Sequence, residues 1–113
     1  MMKMTLKEVC NMVGVTRRAI QGYERVGLVA SSEKNKYGYL LYDEVMIEKI
    51  RMIKQYQDFG FKVKEIKELL ESSDEIYIKM LSIKLEKMRT ELDSMKKNIE
   101  KMEQIIVQKT KRG

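Results

Sequence analysis

From Ile78 to Ile106 the apolar residues alternate three and four positions apart without a break: Ile78, Leu81, Leu85, Met88, Leu92, Met95, Ile99, Met102 and Ile106. This is an a/d repeat of about four heptads, and it predicts a coiled-coil helix roughly 43 Å long at 1.5 Å per residue. A domain built from the residues before it is too small to cover such a stripe along its whole length. The helix therefore needs a partner helix, and the same helix of a second copy is the simplest candidate. Residues 73–113 are accordingly expected to form a coiled-coil dimerisation helix with a basic tail, Lys109 to Arg112, that either touches phosphate or, the favoured reading, frays in solvent. Ser72-Ser-Asp-Glu75 reads as the capping box that opens it.

Residues 1–72 carry shorter periodic runs with clear punctuation. Thr5-Leu-Lys-Glu8 is a capping box, and Leu6, Val9, Cys10 and Val13 follow as one buried face that ends at Gly14. Thr16 is a good N-cap for a second helix, and Gly27 is a good residue just past its end. On a wheel of about 100° per residue, Arg17, Arg18, Gln21 and Arg25 share one sector. Ala19, Tyr23 and Val26 lie opposite, flanked by Ile20. Two short helices joined by a tight glycine turn predict a helix-turn-helix, in which the second helix is the usual reading element.

After Gly27, Leu28-Val-Ala30 is a short extended run, Ser31 to Lys36 is polar, and Tyr37-Gly-Tyr-Leu-Leu-Tyr42 is β-prone. These residues predict a β-hairpin with Lys34, Asn35 and Lys36 near its tip, a wing placed to touch phosphates. Tyr39 or Tyr42 packs inward while the lysines face out. Asp43 caps a third helix running to about Phe59, with Met46, Ile50 and Ile53 inside and Gly60 at its end. A fourth helix after Phe61 buries Val63, Ile66, Leu69 and Leu70. The expected fold is mainly α: a winged helix-turn-helix domain over residues 1–72, then the coiled coil.

Charge sharpens this picture. The 113 residues hold 23 Lys and Arg against 17 Asp and Glu, a net charge of +6. Residues 1–42 carry seven basic and only three acidic side chains, whereas the last helix is mixed in sign, as a solvated helix is. An anionic partner is favoured. The chain has no histidine and a single cysteine, Cys10, on an apolar face where an inert buried thiol is expected. Intrachain disulfides and cysteine metal clusters are excluded, together with the commonest general base. Met88, Met95 and Met102 sit at d positions, where packing rather than copper(I) ligation is expected. No cofactor, metal or membrane association is expected, and the protein is read as soluble and cytoplasmic.

The segments Leu6-Lys-Glu-Val-Cys-Asn-Met-Val-Gly-Val-Thr16, Tyr23-Glu-Arg-Val-Gly-Leu-Val29, Gly38-Tyr-Leu-Leu-Tyr-Asp43 and Phe59-Gly-Phe-Lys-Val-Lys-Glu-Ile-Lys-Glu-Leu-Leu70 occur in an order that resembles the mercury-resistance-regulator (MerR) family of bacterial transcription factors. The resemblance covers roughly residues 4–72. It implies a winged helix-turn-helix paired through an antiparallel coiled coil. Such dimers bind a palindrome in an over-long promoter spacer, bend and untwist it, and so align the elements for RNA polymerase. That is indirect readout, with phosphate contacts holding a deformed duplex. Thr5, Thr16, Arg17, Arg18, Gln21, Tyr23, Arg25, Lys34, Lys36 and Tyr39 are the DNA-contacting residues this reading assigns.

Three departures from the family pattern stand out. Its Arg-Tyr-Tyr is here Gln21-Gly22-Tyr23, which replaces an arginine near DNA by a neutral amide. Its Gly-Tyr-Arg is Gly38-Tyr39-Leu40, which removes a second phosphate contact; Lys34, Lys36 and Arg25 are the expected compensation. The chain ends after the coiled coil, as expected of a short form without an effector domain, and it lacks the cysteines that the family's metal sensors carry there. Metal sensing is not expected. A homodimeric sequence-specific regulator is the leading function. An architectural or recombination-directionality factor that bends DNA, and a coiled-coil protein-interaction module, remain open beside it. An enzyme is the reading with least support, since no convergent carboxylates, nucleophile or glycine-rich phosphate loop appear.

Overall fold

Thr5 ends a strand and begins a helix. In the computed structural model, which describes residues 3–112, Met4–Thr5 forms β1 and Leu6–Val13 forms α1. The Thr5 hydroxyl accepts the Glu8 amide at 3.3 Å, and the Glu8 carboxylate accepts the Thr5 amide at 3.0 Å. Two free donors at the start of the helix are thereby satisfied. Gly14, at φ +80°, turns the chain out of α1 and donates its amide to the Cys10 carbonyl at 2.9 Å. A side chain would strain that left-handed turn. Thr16 then caps α2, Arg17–Arg25, by accepting the Ala19 amide at 3.0 Å.

Two further strands, β2 (Glu33–Lys34) and β3 (Leu40–Tyr42), form the wing. The sheet order is β1-β3-β2, antiparallel throughout, with Thr5 opposite Leu41 and Lys34 opposite Leu40. The hairpin was expected; its third strand was not. Leu28 and Val29, read as an extended run, are buried core residues outside the sheet. Tyr37 belongs to the turn rather than to a strand.

Asp43 caps α3, Glu44–Asp58, by accepting the Met46 amide at 2.9 Å. That hydrogen bond and burial act in opposite senses on the Asp43 carboxyl, and the bond prevails, holding it below its ordinary value. The buried face of α3 is Ile47, Ile50, Ile53 and Tyr56; Met46 is only half-buried. In α4, Val63–Glu71, Ile66 and Leu69 are buried, while Val63 and Leu70 are half-buried. Glu65 accepts the Lys62 amide at 2.8 Å, which is half of a capping box, since an ammonium has no lone pair to complete it. Tyr56 holds Phe59 and Phe61 edge-on, each with centroids 6.2 Å away. The core of this unit runs from Val9 through Ile20 and Tyr23 to Ile50, Ile53 and Leu69. Cys10, expected in it, is half-buried.

The chain forms two compact units, residues 1–72 and residues 73–113. The second unit is one helix, α5, Asp74–Arg112, 39 residues long and so about 58 Å at 1.5 Å per residue. Its cap is Ser73, whose hydroxyl accepts the Ile76 amide at 3.4 Å. Ser72, the expected cap, instead donates its hydroxyl to the Leu69 carbonyl and closes α4. The basic tail, expected to fray, continues the helix to Arg112, where cations suit the negative end of the dipole. No helix among the described residues is long and apolar enough to cross a membrane.

Candidate nucleic-acid interface

Capping fixes where the basic side chains of the N-terminal unit emerge. The Thr16 cap starts α2 with Arg17 and Arg18 in its first turn, and both are exposed, as are Gln21 and Arg25. The opposite face is anchored. Ile20 and Tyr23 have no exposed surface, and the Tyr23 hydroxyl donates to the Gln57 side-chain oxygen on α3 at 2.5 Å. Burial, then the Asp58 charge, raises the Tyr23 pKa and keeps the phenol protonated. Tyr23 is therefore a core residue that orients α2. Tyr23 was expected to touch DNA; here its ring has no accessible surface and its hydroxyl is engaged by Gln57.

The wing folds back beside the start of α2. Thr5, Leu6, Lys7, Arg17, Gly38, Tyr39 and Leu40 line one open groove of about 490 Å³. Three residues singled out in the sequence, Thr5, Arg17 and Tyr39, meet there from three separate elements. Lys7 was not among them. On α1 it reads as a solvated lysine, and only the return of the wing brings it into one groove with Tyr39. Leu40 occupies the wing position where the family pattern has an arginine, so Lys7 and Arg17 are the cations of this groove.

Lys34 and Lys36 lie on the hairpin outside that groove, Lys34 exposed. The Lys36 ammonium lies 5.1 Å from the Tyr37 ring centroid, in cation–π range. Arg25 points elsewhere. It shares a second groove with Val26, Lys64, Lys67, Glu68 and Glu71, where α2 meets α4. The residues from which compensation was expected thus lie apart, Lys34 and Lys36 on the hairpin and Arg25 in a groove that also holds Lys64 and Lys67 beside Glu68 and Glu71.

The wing turn is stiffened by Asn35, whose side-chain oxygen accepts the Tyr37 and Tyr39 amides at 2.9 and 3.0 Å. Its carbonyl accepts the amide of Gly38, at φ +84°, at 3.0 Å. Such an Asx turn holds short polar and aromatic side chains at fixed positions on the tip.

On α5 no residue is buried. Eight of the nine heptad residues are 42% to 62% exposed, from Met88 to Met102, and Leu81 is half-buried. Ile76, Ile83, Ile105 and Val107 add exposed apolar surface beyond the expected stripe. Among the described residues no group of three or more His, Cys, Asp or Glu side chains is placed to hold a metal ion.

Comparison with known proteins agrees with this arrangement. A family described as MerR HTH family regulatory protein matches residues 4–73. The chain is 29% identical to an HTH-type transcriptional regulator of Synechocystis over 97% of its own length and 87% of the relative's. It is 35% identical to the mercuric resistance operon regulatory protein of Bacillus cereus over 61% of this chain, spanning about half (52%) of that relative. Among solved structures, HiNmlR, a MerR family regulator lacking the sensor domain and bound to promoter DNA, superposes with a TM-score of 0.70 at 13% identity, over 88% of this chain and 80% of that one. That likeness is one of fold. With a family match spanning most of the chain and the winged helix-turn-helix on which it rests, this protein belongs to the MerR HTH family, whose members are DNA-binding transcriptional regulators rather than enzymes.

Proposed function

We propose that this chain acts as a homodimer that binds a palindromic promoter site in the cytoplasm and bends or untwists the duplex for RNA polymerase. Residues 1–72 supply the DNA-binding unit and residues 73–113 the dimerisation helix. The observation that carries the reading is the groove that Lys7 and Arg17 line together with the wing residue Tyr39. A cation at the start of a capped helix, facing a hairpin, fits a phosphate backbone passing between them. Arg18 and Gln21 on the exposed face of α2 are then the side chains offered to base edges, and Lys34, Lys36 and Arg25 lie at the flanks.

The dimer reading is supported by the exposed stripe from Ile78 to Ile106. Contiguous apolar surface of that extent is an interaction site, and burying it against an equivalent stripe contributes about 25 cal/mol per Å². Two DNA-binding units joined in this way address two half-sites, which is why the proposed site is a palindrome. The deformation part of the reading rests on the family to which the chain belongs.

Equilibrium binding to random-sequence duplex DNA over a series of salt concentrations tests the reading. Affinity falling linearly on a logarithmic plot, with a slope of several, is expected. A flat salt dependence, or no binding at low salt, contradicts it.

A further inference from the structure

Tyr37 stands at the wing tip with 71% of its surface exposed, the largest fraction among the exposed large hydrophobic residues. Single exposed aromatics are ordinary on protein surfaces and by themselves mean nothing. Three features set this one apart. Its backbone is fixed by the Asn35 side chain, which holds the Tyr37 amide at 2.9 Å and the Tyr39 amide at 3.0 Å. One face of its ring is occupied by the Lys36 ammonium, 5.1 Å from the centroid. The residues that follow it, Gly38 and Tyr39 and then Leu40 at the start of β3, line the groove that also holds Lys7 and Arg17.

An aromatic ring beside a cation, carried on a closed turn at the basic edge of a domain, is complementary to a polyanion that alternates charged and apolar surface. A nucleic-acid strand is such a polymer: phosphates repeat along it, and between them lie the apolar faces of the deoxyriboses and the bases. Ordering Tyr37 on binding costs little backbone entropy, because the turn is already closed, and leaves the two side-chain torsions of the tyrosine to be fixed.

We propose that Tyr37 is a DNA contact in its own right, packing the free face of its ring on deoxyribose surface while Lys36 takes the adjoining phosphate. The inference rests on the DNA-binding reading above and adds to it a contact of a different kind. Lys36 acts through charge and releases counterions; Tyr37 acts through contact area and releases none. The two residues are therefore separable by experiment although they touch.

The test is binding of the full chain and of Tyr37→Ala, Tyr37→Phe and Lys36→Ala to one fluorescein-labelled random-sequence duplex, over a series of salt concentrations, with circular dichroism to check folding. Tyr37→Ala is expected to weaken binding roughly fivefold or more at every salt, with the salt slope unchanged. Tyr37→Phe, which keeps the ring, is expected to bind within about twofold of the parent. Lys36→Ala is expected to lower the slope by about one for each wing engaged. Parent-like affinity of a folded Tyr37→Ala overturns the inference. So does a loss that appears wholly as a reduced slope, since Tyr37 would then only be holding Lys36. Salt-dependent binding by the parent separates these failures from failure of the DNA-binding reading, in which the parent itself does not bind.

Discussion

The Tyr42 hydroxyl donates to the Glu24 carboxylate at 2.5 Å, tying the last strand of the wing to the last turn of α2. With the Tyr23–Gln57 bond, it fixes the reading helix to the wing on one side and to α3 on the other. Tyr42 has no exposed surface, so its replacement leaves a half-buried acceptor without its donor.

Tyr42→Phe is therefore expected to lower stability by about 1–2 kcal/mol in urea unfolding at neutral pH. It is also expected to change the alkaline limb. Burial, followed by the hydrogen bond and charge of Glu24, raises the Tyr42 pKa well above its ordinary value of 10.0. The unfolded phenol ionises near that ordinary value while the folded one keeps its proton. The contribution is fully present below about pH 10 and is lost as pH rises through the folded pKa. Stability should fall steeply above about pH 10 in the parent and less steeply in Tyr42→Phe, where Tyr23 remains raised. An identical alkaline slope in the two proteins is the contrary result.

Gly22 sits inside α2, and a Cβ built there meets nothing within 4 Å. Gly22→Ala is expected to stabilise the protein by about 0.5–1 kcal/mol, because alanine loses less backbone entropy in a helix. Thermal unfolding reads the gain. A loss of stability would mean that the methyl displaces packing around α2.

Arg17→Ala combined with Arg18→Ala is expected to weaken DNA binding at least about tenfold at moderate salt, and to lower the salt slope by up to about two for each protomer engaged. Both side chains are exposed and outside the core, so helicity by circular dichroism should not change. Unchanged affinity would remove the proposed reading face.

Leu85→Lys with Leu92→Lys places two charges from each protomer in the seam of the proposed dimer. Sedimentation is expected to show a dimer for the parent and a monomer for the variant, because unpaired buried ammonium groups cost far more than the packing there supplies. A monomeric parent would contradict the coiled-coil reading.

What the sequence made legible was local. Thr5 with Glu8, Thr16 with Ala19 and Asp43 with Met46 are caps decided within four residues, and Gly14 announces a turn that only a left-handed backbone makes. The heptads of α5 were equally plain, since their periodicity needs no neighbour to be seen. Features set by distant partners were hidden. The two residues of β1 carry no periodic signal, and they become a strand only through Leu41 and Tyr42, far along the chain. On α3 the inner face is centred on Ile47 rather than Met46, because this helix packs against α1, β3 and α4 together. The wheel placed Tyr23 on the apolar side of α2, whereas family resemblance assigned it to DNA; its hydrogen bond to Gln57 decides for the core. Lys7 gave no sign at all, since its place in the groove depends on where a wing roughly thirty residues later returns.

Selection of binding sites from random duplex DNA by the full chain tests the central claim most directly. Enrichment of a palindrome with two half-sites at a fixed spacing, bound by one dimer, is expected. Enrichment of a single half-site without a symmetric partner, or no enrichment from a chain that still binds DNA, would contradict it.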